Sequence, residues 1–267
     1  MDIVNKLEGV ADTLYIPLAS RIYVSKHFPE YFYDKKALSL EQYIPGDMIQ
    51  KNSSEYECMA SAARQHVMDG IVRDFLNRNP VSYVVFLGAG LETAYFRLEN
   101  TQAYFYEIDL PEVIQVRRQA LGTGSYEMLI AGDMFAMEWV KEIDTSLPTM
   151  IAVSGVYEYF HEEKIVHMIR EMKEAFPKGE LIFDATSPAG LNYTNRYVQK
   201  TGNTDAMMYF GVKDPAAFAR KCQAELIETK SFFGDARKLK GKLRQKTRIY
   251  MYFADRWKLT IVVHLHF

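Results

Sequence analysis

The stretch "FLGAGLETAYFRLENTQAYFYEIDLPEV", residues 86–113, joins a glycine turn to an acidic segment within one short piece of chain. Gly88 and Gly90 follow an apolar segment directly, so the backbone there can turn tightly and approach a ligand closely. A dinucleotide fingerprint would place a third glycine where this chain has Thr93. Asp109 lies close to the offset of about 20 residues at which an acid meets ribose hydroxyls. The stretch predicts a ribose-bearing ligand, with a plain turn and a helix-capping aspartate as the alternative.

Short apolar segments on both sides of this stretch predict an α/β fold. Five of them alternate with helical stretches, which is typical of a mostly parallel sheet covered on both faces. They are residues 82–90, 103–109, 126–133, 149–156 and 180–185. Residues 224–233 and 257–267 return to strand character and predict an antiparallel edge. Ligands of such sheets bind beyond the carboxyl ends of the strands.

The first 80 residues show helical and turn patterns with no clear strand. They are long enough to cover the carboxyl edge of the sheet as a helical lid. We therefore predict an N-terminal cap at residues 1–80 and a Rossmann-like ligand-binding core at residues 81–267, within one structural domain overall.

Composition excludes several classes of protein. The 267 residues suit one large domain, and the net charge of −2 offers no field that would attract nucleic acid or an anionic membrane. Cys58 and Cys222 are the only cysteines, which argues against a disulfide framework or a zinc cluster. No signal peptide is evident, and no uncharged apolar run reaches the roughly 18 residues of a membrane span. We expect a cytoplasmic protein that contacts neither nucleic acid nor membrane.

Two further features predict contacts with other parts of the ligand. The segment "AGDMF" places Asp133 at the end of the third strand, where a carboxylate can accept from an adenine amino group; a Gly-Asp turn is the alternative. Arg64 lies on the apolar face of its own helix, since Val67, Met68 and Ile71 follow it at helical spacing. A guanidinium there needs water or an anion, either an internal acid or a ligand carboxylate.

Three separated features thus match three parts of one molecule. Asp109 suits a ribose, Asp133 an adenine and Arg64 a free carboxylate, and S-adenosylmethionine carries all three groups. A nicotinamide cofactor fits less well, because the third glycine of its fingerprint is missing. We interpret the glycine turn as part of a binding site for S-adenosylmethionine.

An ordered set of motifs then carries a family resemblance through most of the chain. They are "TLYIPLASRIYVSKHFPEYFYDKKAL", "ARQHVMDGIVRDFL", "FLGAGLETAYFRL", "FYEIDLPEV", "GDM", "SGVYEYFHEE" and "FPKGELIFDA". With them the chain resembles the leucine carboxyl methyltransferase-like family, in its bacterial branch of tetracenomycin-type polyketide O-methyltransferases. The resemblance implies a class I methyltransferase fold, with a seven-stranded sheet and a helical lid, that uses S-adenosylmethionine.

The resemblance also implies a set of cofactor-binding residues. They are Arg64, Gly88, Ala89, Gly90, Glu107, Asp109, Asp133, Met134 and Ser154. Arg64 would hold the methionine carboxylate. Asp109, helped by Glu107, would take the ribose, and Asp133 and Met134 would flank the adenine.

Two positions depart from the family pattern. Members usually carry Thr after the motif arginine, where this chain has Gln65, and several have Glu where this chain has Ser154. These departures concern the methionine end of the cofactor and the acceptor. They also keep open a cofactor-binding pseudoenzyme or regulatory module as an alternative to an active enzyme.

The acceptor is predicted to be a small molecule, free or bound to a carrier. A carboxylate needs orientation and desolvation but no base, whereas a phenol benefits from one. No histidine stands inside a cofactor motif: His161 begins a helix, and His264 and His266 alternate on the last strand, on a side that we expect to face solvent. A carboxylate of a polyketide-like metabolite is therefore favoured over a hydroxyl. Acceptor-side candidates are Tyr15, Arg21, Tyr157, Tyr193 and Arg196.

One strongly basic segment is not explained by cofactor binding. Residues 235–248 carry seven Lys or Arg and one Asp. A solvated surface segment is the favoured interpretation, and a contact for an acidic carrier protein is the alternative.

Overall fold

A computed structural model describes residues 11–43, 54–98, 102–192, 195, 207–239 and 241–267. The helices are α1 (Ala11–His27), α2 (Lys35–Ser39), α3 (Glu55–Arg78), α4 (Ala94–Leu98), α5 (Pro111–Leu121), α6 (Glu162–Ala175), α7 (Pro215–Lys221) and α8 (Gln245–Arg256). The strands are β1 (Tyr83–Leu87), β2 (Tyr104–Asp109), β3 (Glu127–Ala131), β4 (Thr149–Val153), β5 (Gly179–Thr186), β6 (Glu225–Ser231) and β7 (Thr260–His266).

The seven strands form one sheet in the order β3-β2-β1-β4-β5-β7-β6. Strands β1 to β5 pair in parallel, and β7 runs antiparallel between β5 and β6. All seven predicted strands and the antiparallel edge are confirmed. The strand order reverses between β1 and β4, so this is the place where an open α/β sheet offers a crevice for a ligand.

Each face of the sheet has its own apolar core. On one face, side chains of α3 such as Ala62, Ile71 and Phe75 pack on Val84 and Phe86 of β1. The other face is covered by α6 and α7. The predicted helix after His161 is confirmed, and its buried residues Ile165, Met168, Ile169 and Met172 pack on the sheet.

The described part of the first 80 residues is helical, as predicted. Side chains of α3 belong to the same apolar core as those of the sheet, and α1 packs along α3. Buried ion pairs also join this region to the segment after β1: Arg97 pairs with Asp69 at 2.8 Å and with Asp34 at 3.1 Å. The division into a cap and a core, and a lid that closes, stay predictions.

The basic segment forms a 3₁₀ turn at Ala236–Leu239 followed by the start of α8. Its described lysines and arginines are mostly exposed, while Ala236, Leu243 and Thr247 are buried. The segment therefore lies along the surface and is anchored by its small and apolar residues. Among the described helices, none is long and apolar enough to cross a membrane.

Candidate cofactor and methyl-transfer site

Three glycines adopt left-handed backbone conformations where β1 and β4 end. Gly88 and Gly90 have φ values of 65° and 50°, and Gly155 has a φ of 69°. A Cβ atom on Gly88 would lie 2.6 Å from Cγ2 of Val156, and one on Gly155 would lie 2.9 Å from Nη1 of Arg64. Side chains are thus excluded on both sides of the crevice, and the backbone itself lines it.

Asp109 locks the glycine turn from the end of β2. Its Oδ2 accepts from the N–H of Gly90 at 2.7 Å, and its Oδ1 accepts from the N–H of Leu110 at 2.7 Å. Burial raises the pKa of Asp109, and the two N–H donors oppose that shift. The carboxylate therefore shapes the turn from the end of β2, and its contact with a ribose stays a prediction.

A buried arginine of α5 stabilises this turn through hydrogen bonds to its backbone. Arg117 donates to the carbonyl oxygens of Gly90 at 3.2 Å and of Glu92 at 2.6 Å. Its Nη2 also lies 2.9 Å from Glu107 and 2.8 Å from Glu127, and all three side chains are fully buried. Glu107 thus faces Arg117 and the interior. This position does not fit the ribose contact that the resemblance implied for Glu107, because β2 turns that side chain into the protein.

Thr93 occupies the place of the missing third glycine, and its side chain has a structural use. Its hydroxyl donates to Oδ2 of Asp34 at 2.5 Å and accepts from Nη1 of Arg97 at 2.7 Å. Glu92 beside it pairs with Arg97 at 2.8 Å. Burial would raise the pKa of Glu92, but the charges of Arg97 and Arg21 outweigh it and lower that pKa to about 2. A glycine at position 93 would remove one member of this network.

Arg64 reaches the crevice from α3. Its Nη1 lies 2.8 Å from Oδ2 of Asp184 on β5, and Oδ1 of Asp184 accepts from the N–H of Gly155 at 2.7 Å. The internal salt bridge considered from the sequence is therefore present. The Nε of Arg64 is buried without a hydrogen-bond partner among the described residues, so the guanidinium retains a donor for a further anion.

Glu158 is a member of this cluster that our sequence analysis missed. It lies in the 3₁₀ turn Tyr157–Tyr159 after β4, is 6% exposed, and has an Oε2 without a partner in the described chain. Burial, followed by the neighbouring charge of Asp184, raises the pKa of Glu158 well above its ordinary value. The signal in the sequence was an acid within the aromatic run "YEYF", but only histidines were considered as proton acceptors.

The two departures from the family pattern contact each other. The side-chain amide of Gln65 donates to Oγ of Ser154 at 3.3 Å. The family's Thr and Glu positions are therefore neighbours in space, and this chain joins them by a neutral hydrogen bond. An acid, Glu158, lies four residues later in the same loop after β4.

The predicted adenine side lies at the end of β3. Oδ1 of Asp133 accepts from the N–H of Phe135 at 2.9 Å and caps the 3₁₀ turn Met134–Ala136. Asp133 itself is exposed, and Met134 is buried under the turn. The Gly-Asp turn considered as the alternative is thus formed, and it holds the carboxylate at the sheet edge beside β2.

The described acceptor-side candidates are buried. Arg21 is 2% exposed, donates to the carbonyl of Leu91 at 2.5 Å and pairs with Asp34 at 3.3 Å, so it is a structural arginine and not an acceptor anchor. Tyr157 packs against Phe183 in the core beneath the crevice. Tyr15 is buried, with no partner for its hydroxyl among the described residues. Tyr193 and Arg196 lie outside the described residues.

Taken together, the side chains fit the methionine and ribose parts of S-adenosylmethionine. An amino-acid head group carries one carboxylate and one ammonium, and the crevice offers one arginine and two carboxylates. Two of these, Arg64 and Glu158, have buried polar atoms without a partner in the described chain. Buried polar atoms in native proteins are nearly always paired, so a polar ligand group is expected here.

The buried acids Glu158 and Asp184 lie close together, and their proximity predicts a pH dependence of stability. A carboxyl whose folded pKa is raised stabilises fully below its unfolded pKa, and that stability is lost as pH rises toward the folded pKa. The free energy of unfolding should therefore fall from about pH 4.5 upward through the Glu158 contribution. Glu158→Gln should flatten this fall in urea titrations between pH 5 and 9. An unchanged slope would show that Glu158 ionises normally; Glu163→Gln, an exposed acid nearby, is the control.

The sheet order and the crevice at its reversal define a class I methyltransferase fold. The leucine carboxyl methyltransferase family matches residues 17–173, more than half of the chain. The chain belongs to this family and is an S-adenosylmethionine-dependent methyltransferase. A curated relative, the tetracenomycin polyketide synthesis O-methyltransferase TcmP of Streptomyces glaucescens, is 23% identical over 211 residues, which are 79% of this chain and 78% of that protein.

Solved structures share the fold at low sequence identity. A DUF574 family protein from Streptomyces avermitilis has a TM-score of 0.60 at 13% identity, covering 92% of this chain and 96% of its own. The magnesium protoporphyrin IX methyltransferase of Synechocystis, solved with bound SAH, has a TM-score of 0.53 at 13% identity, covering 92% and 99%. Both confirm the predicted fold class.

Proposed function

We propose that the protein transfers a methyl group to an oxygen of a small molecule, a carboxylate or a hydroxyl of a polyketide-like metabolite. The observation that carries this proposal is the cluster of Arg64, Asp184 and Glu158, which lies between the glycine turns and has buried atoms that find no partner among the residues the structure describes. TcmP, an O-methyltransferase of polyketide synthesis by its name, supports the choice of oxygen and of acceptor class.

Each residue has a role in this proposal. Arg64 holds the methionine carboxylate while it stays paired with Asp184, and Asp109 accepts from the ribose hydroxyls. Asp133 faces the adenine. When bound, S-adenosylmethionine supplies a methyl group on a sulfonium, and the protein contributes mainly by aligning the acceptor oxygen and excluding water.

One side chain near the crevice, Glu158, affects the choice between a carboxylate and a hydroxyl as the methyl acceptor. A carboxylate is ionised at neutral pH and needs no base. Glu158 is a buried carboxyl beside the crevice, and its raised pKa makes it a stronger base than an ordinary carboxylate whenever it is ionised, so that its ionised form can accept the proton of a hydroxyl. Both kinds of oxygen therefore belong in an acceptor screen.

Labelled methyl transfer to aromatic acids and polyketide-like hydroxy acids is the experiment that tests the function. We expect transfer to at least one such acceptor. Release of methanol from the product by base would identify an ester, and a base-stable product would identify an ether. Tight binding of S-adenosylhomocysteine without transfer to any acceptor would instead favour a cofactor-binding regulatory module.

Removal of the ribose carboxylate should weaken cofactor binding. We expect Asp109→Ala to raise the Kd of S-adenosylhomocysteine roughly 10- to 150-fold, about 1.5–3 kcal/mol, because it deletes charged hydrogen bonds. Calorimetry measures this change. Glu112→Gln, which alters an exposed acid at the start of α5, is the matched control. An unchanged Kd for Asp109→Ala would refute the ribose assignment.

A further inference from the structure

Helix α8 turns large apolar side chains toward solvent. Its inner face packs through Thr247, Met251 and Ala254. On its outer side and at the residue that follows it, five large side chains are between 40% and 62% exposed. They are Ile249, Tyr250, Tyr252, Phe253 and Trp257. An exposed apolar patch on this scale is typical of an interaction site.

The rings of this patch are held in place by one another. Phe253 stacks on Trp257 with centroids 4.8 Å apart, and Tyr252 meets Phe253 edge-on at 5.5 Å. Tyr250 contacts Tyr56 of α3 in the same way at 5.6 Å. Such mutual packing limits the side-chain entropy that would be lost on binding, so the patch is prepared for a partner.

The exposed charges that α8 and the residues after it contribute around the patch have one sign. Lys246, Arg248, Arg256 and Lys258 are exposed, and none lies within ion-pair distance of a carboxylate in the described part of the chain. Asp255, the acid of the helix, points inward: it accepts from the N–H of Phe233 at 3.1 Å and pairs with Arg237 at 3.4 Å. The outer surface of α8 therefore offers apolar rings surrounded by cations.

We propose that this aromatic and basic face of α8 is the docking surface for an acidic protein. Charge complementarity selects the partner, because carboxylates around an apolar contact would pair with the four exposed cations. A second copy of this chain is disfavoured, since a two-fold contact would bring the same four cations together. A protein also offers hydrogen-bond partners for the two tyrosine hydroxyls, and Tyr, Trp and Arg are enriched at the energetic centres of protein interfaces.

The place of α8 in the fold adds a consequence for function. Just beyond Trp257, the carbonyl of Leu259 accepts from the N–H of Ser187 at 2.8 Å, and Thr260 pairs with Thr186 at the carboxyl end of β5. The exposed face of α8 thus ends near the carboxyl ends of the parallel strands, where the crevice lies. A docked protein would stand beside the opening for the acceptor; this step alone rests on the proposed function, whereas the docking surface does not.

Site-specific photo-crosslinking tests the proposal in the cells that make the protein. A photoreactive phenylalanine analogue at Tyr252 of the full chain should yield an adduct with an acidic protein. The control carries the analogue at Tyr33, which is 57% exposed before α2. An adduct only with a second copy of this chain, an adduct only with lipid, or no adduct above the control would overturn the proposal.

Charge reversal then tests the recognition itself with the purified partner. Arg248→Glu together with Arg256→Glu should raise the Kd for the crosslinked protein at least tenfold, and affinity should fall with added salt. Lys213→Glu together with Arg220→Glu reverses two exposed charges before and within α7, so it is the matched control and should leave the Kd unchanged. Equal Kd values for both variants would overturn the docking surface. Binding of S-adenosylhomocysteine should be unaffected throughout, which separates this result from a failure of the methyltransferase proposal.

Discussion

Replacing Arg117 with methionine is expected to lower the free energy of unfolding by about 3–5 kcal/mol. The guanidinium pairs with both Glu107 and Glu127 in a site where all three side chains are fully buried. It also donates to the carbonyls of Gly90 and Glu92, so its loss leaves buried acceptors and carboxylates without partners. Urea unfolding at pH 7 measures the effect.

The chain offers a matched control for this change at the next position. Arg118 belongs to the same helix and is exposed, so Arg118→Met should change stability by less than about 0.5 kcal/mol. A triple variant that combines Arg117→Met with Glu107→Gln and Glu127→Gln should recover part of the loss, because no buried charge is then unpaired. A loss below 1 kcal/mol for Arg117→Met would contradict the view that this arginine supports the glycine turn.

The second large effect concerns the affinity for the cofactor. We expect Arg64→Gln to weaken binding of S-adenosylhomocysteine by about 2–4 kcal/mol, roughly 30- to 1,000-fold in Kd. The substitution removes a partly buried cation, so the carboxylate of the ligand's amino-acid head group loses its charged partner. 5′-Methylthioadenosine has the same ribose and adenine but no amino-acid head group. Its Kd should change less than about threefold, within roughly 0.7 kcal/mol. Calorimetry with both ligands measures the difference.

This pair of ligands separates the two interpretations of Arg64. If Arg64 only pairs with Asp184, its loss weakens both ligands equally or neither of them. Asp109→Ala should weaken both, since the ribose is common to them. Arg73→Gln changes an exposed arginine of the same helix and should affect neither ligand. Thermal unfolding of each variant verifies that the crevice has folded.

Much of the fold could be predicted because it depends on local patterns. The strands were evident as short apolar segments between turn signals, and α6 as an apolar stripe of helical period. The place of β7 between β5 and β6 could not be predicted, because strand order depends on contacts between distant segments. The same contacts explain the error at His264, which we expected to face solvent. Pairing on both sides buries it, and its Nε2 lies 2.7 Å from Glu180.

The site could be predicted only for residues whose position follows from local spacing, and not for residues whose surroundings depend on distant parts of the chain. Asp109 and Arg64 lie where spacing and helix periodicity placed them. Glu107 was misjudged, because alternation along β2 gives it a side of the sheet but does not reveal Arg117 beneath it. Glu158 was missed, because an acid in an aromatic run gives no sign of its burial until β5 brings Asp184 beside it.

The position of β7 also dictates when this protein can finish folding. Residues 260–266 are synthesised after both neighbouring strands, yet they lie between them. Until they leave the ribosome, β5 keeps an open edge and β6 has no strand to pair with. The sheet is therefore completed from within after translation has passed residue 266, and the nascent chain is most exposed to aggregation just before that step.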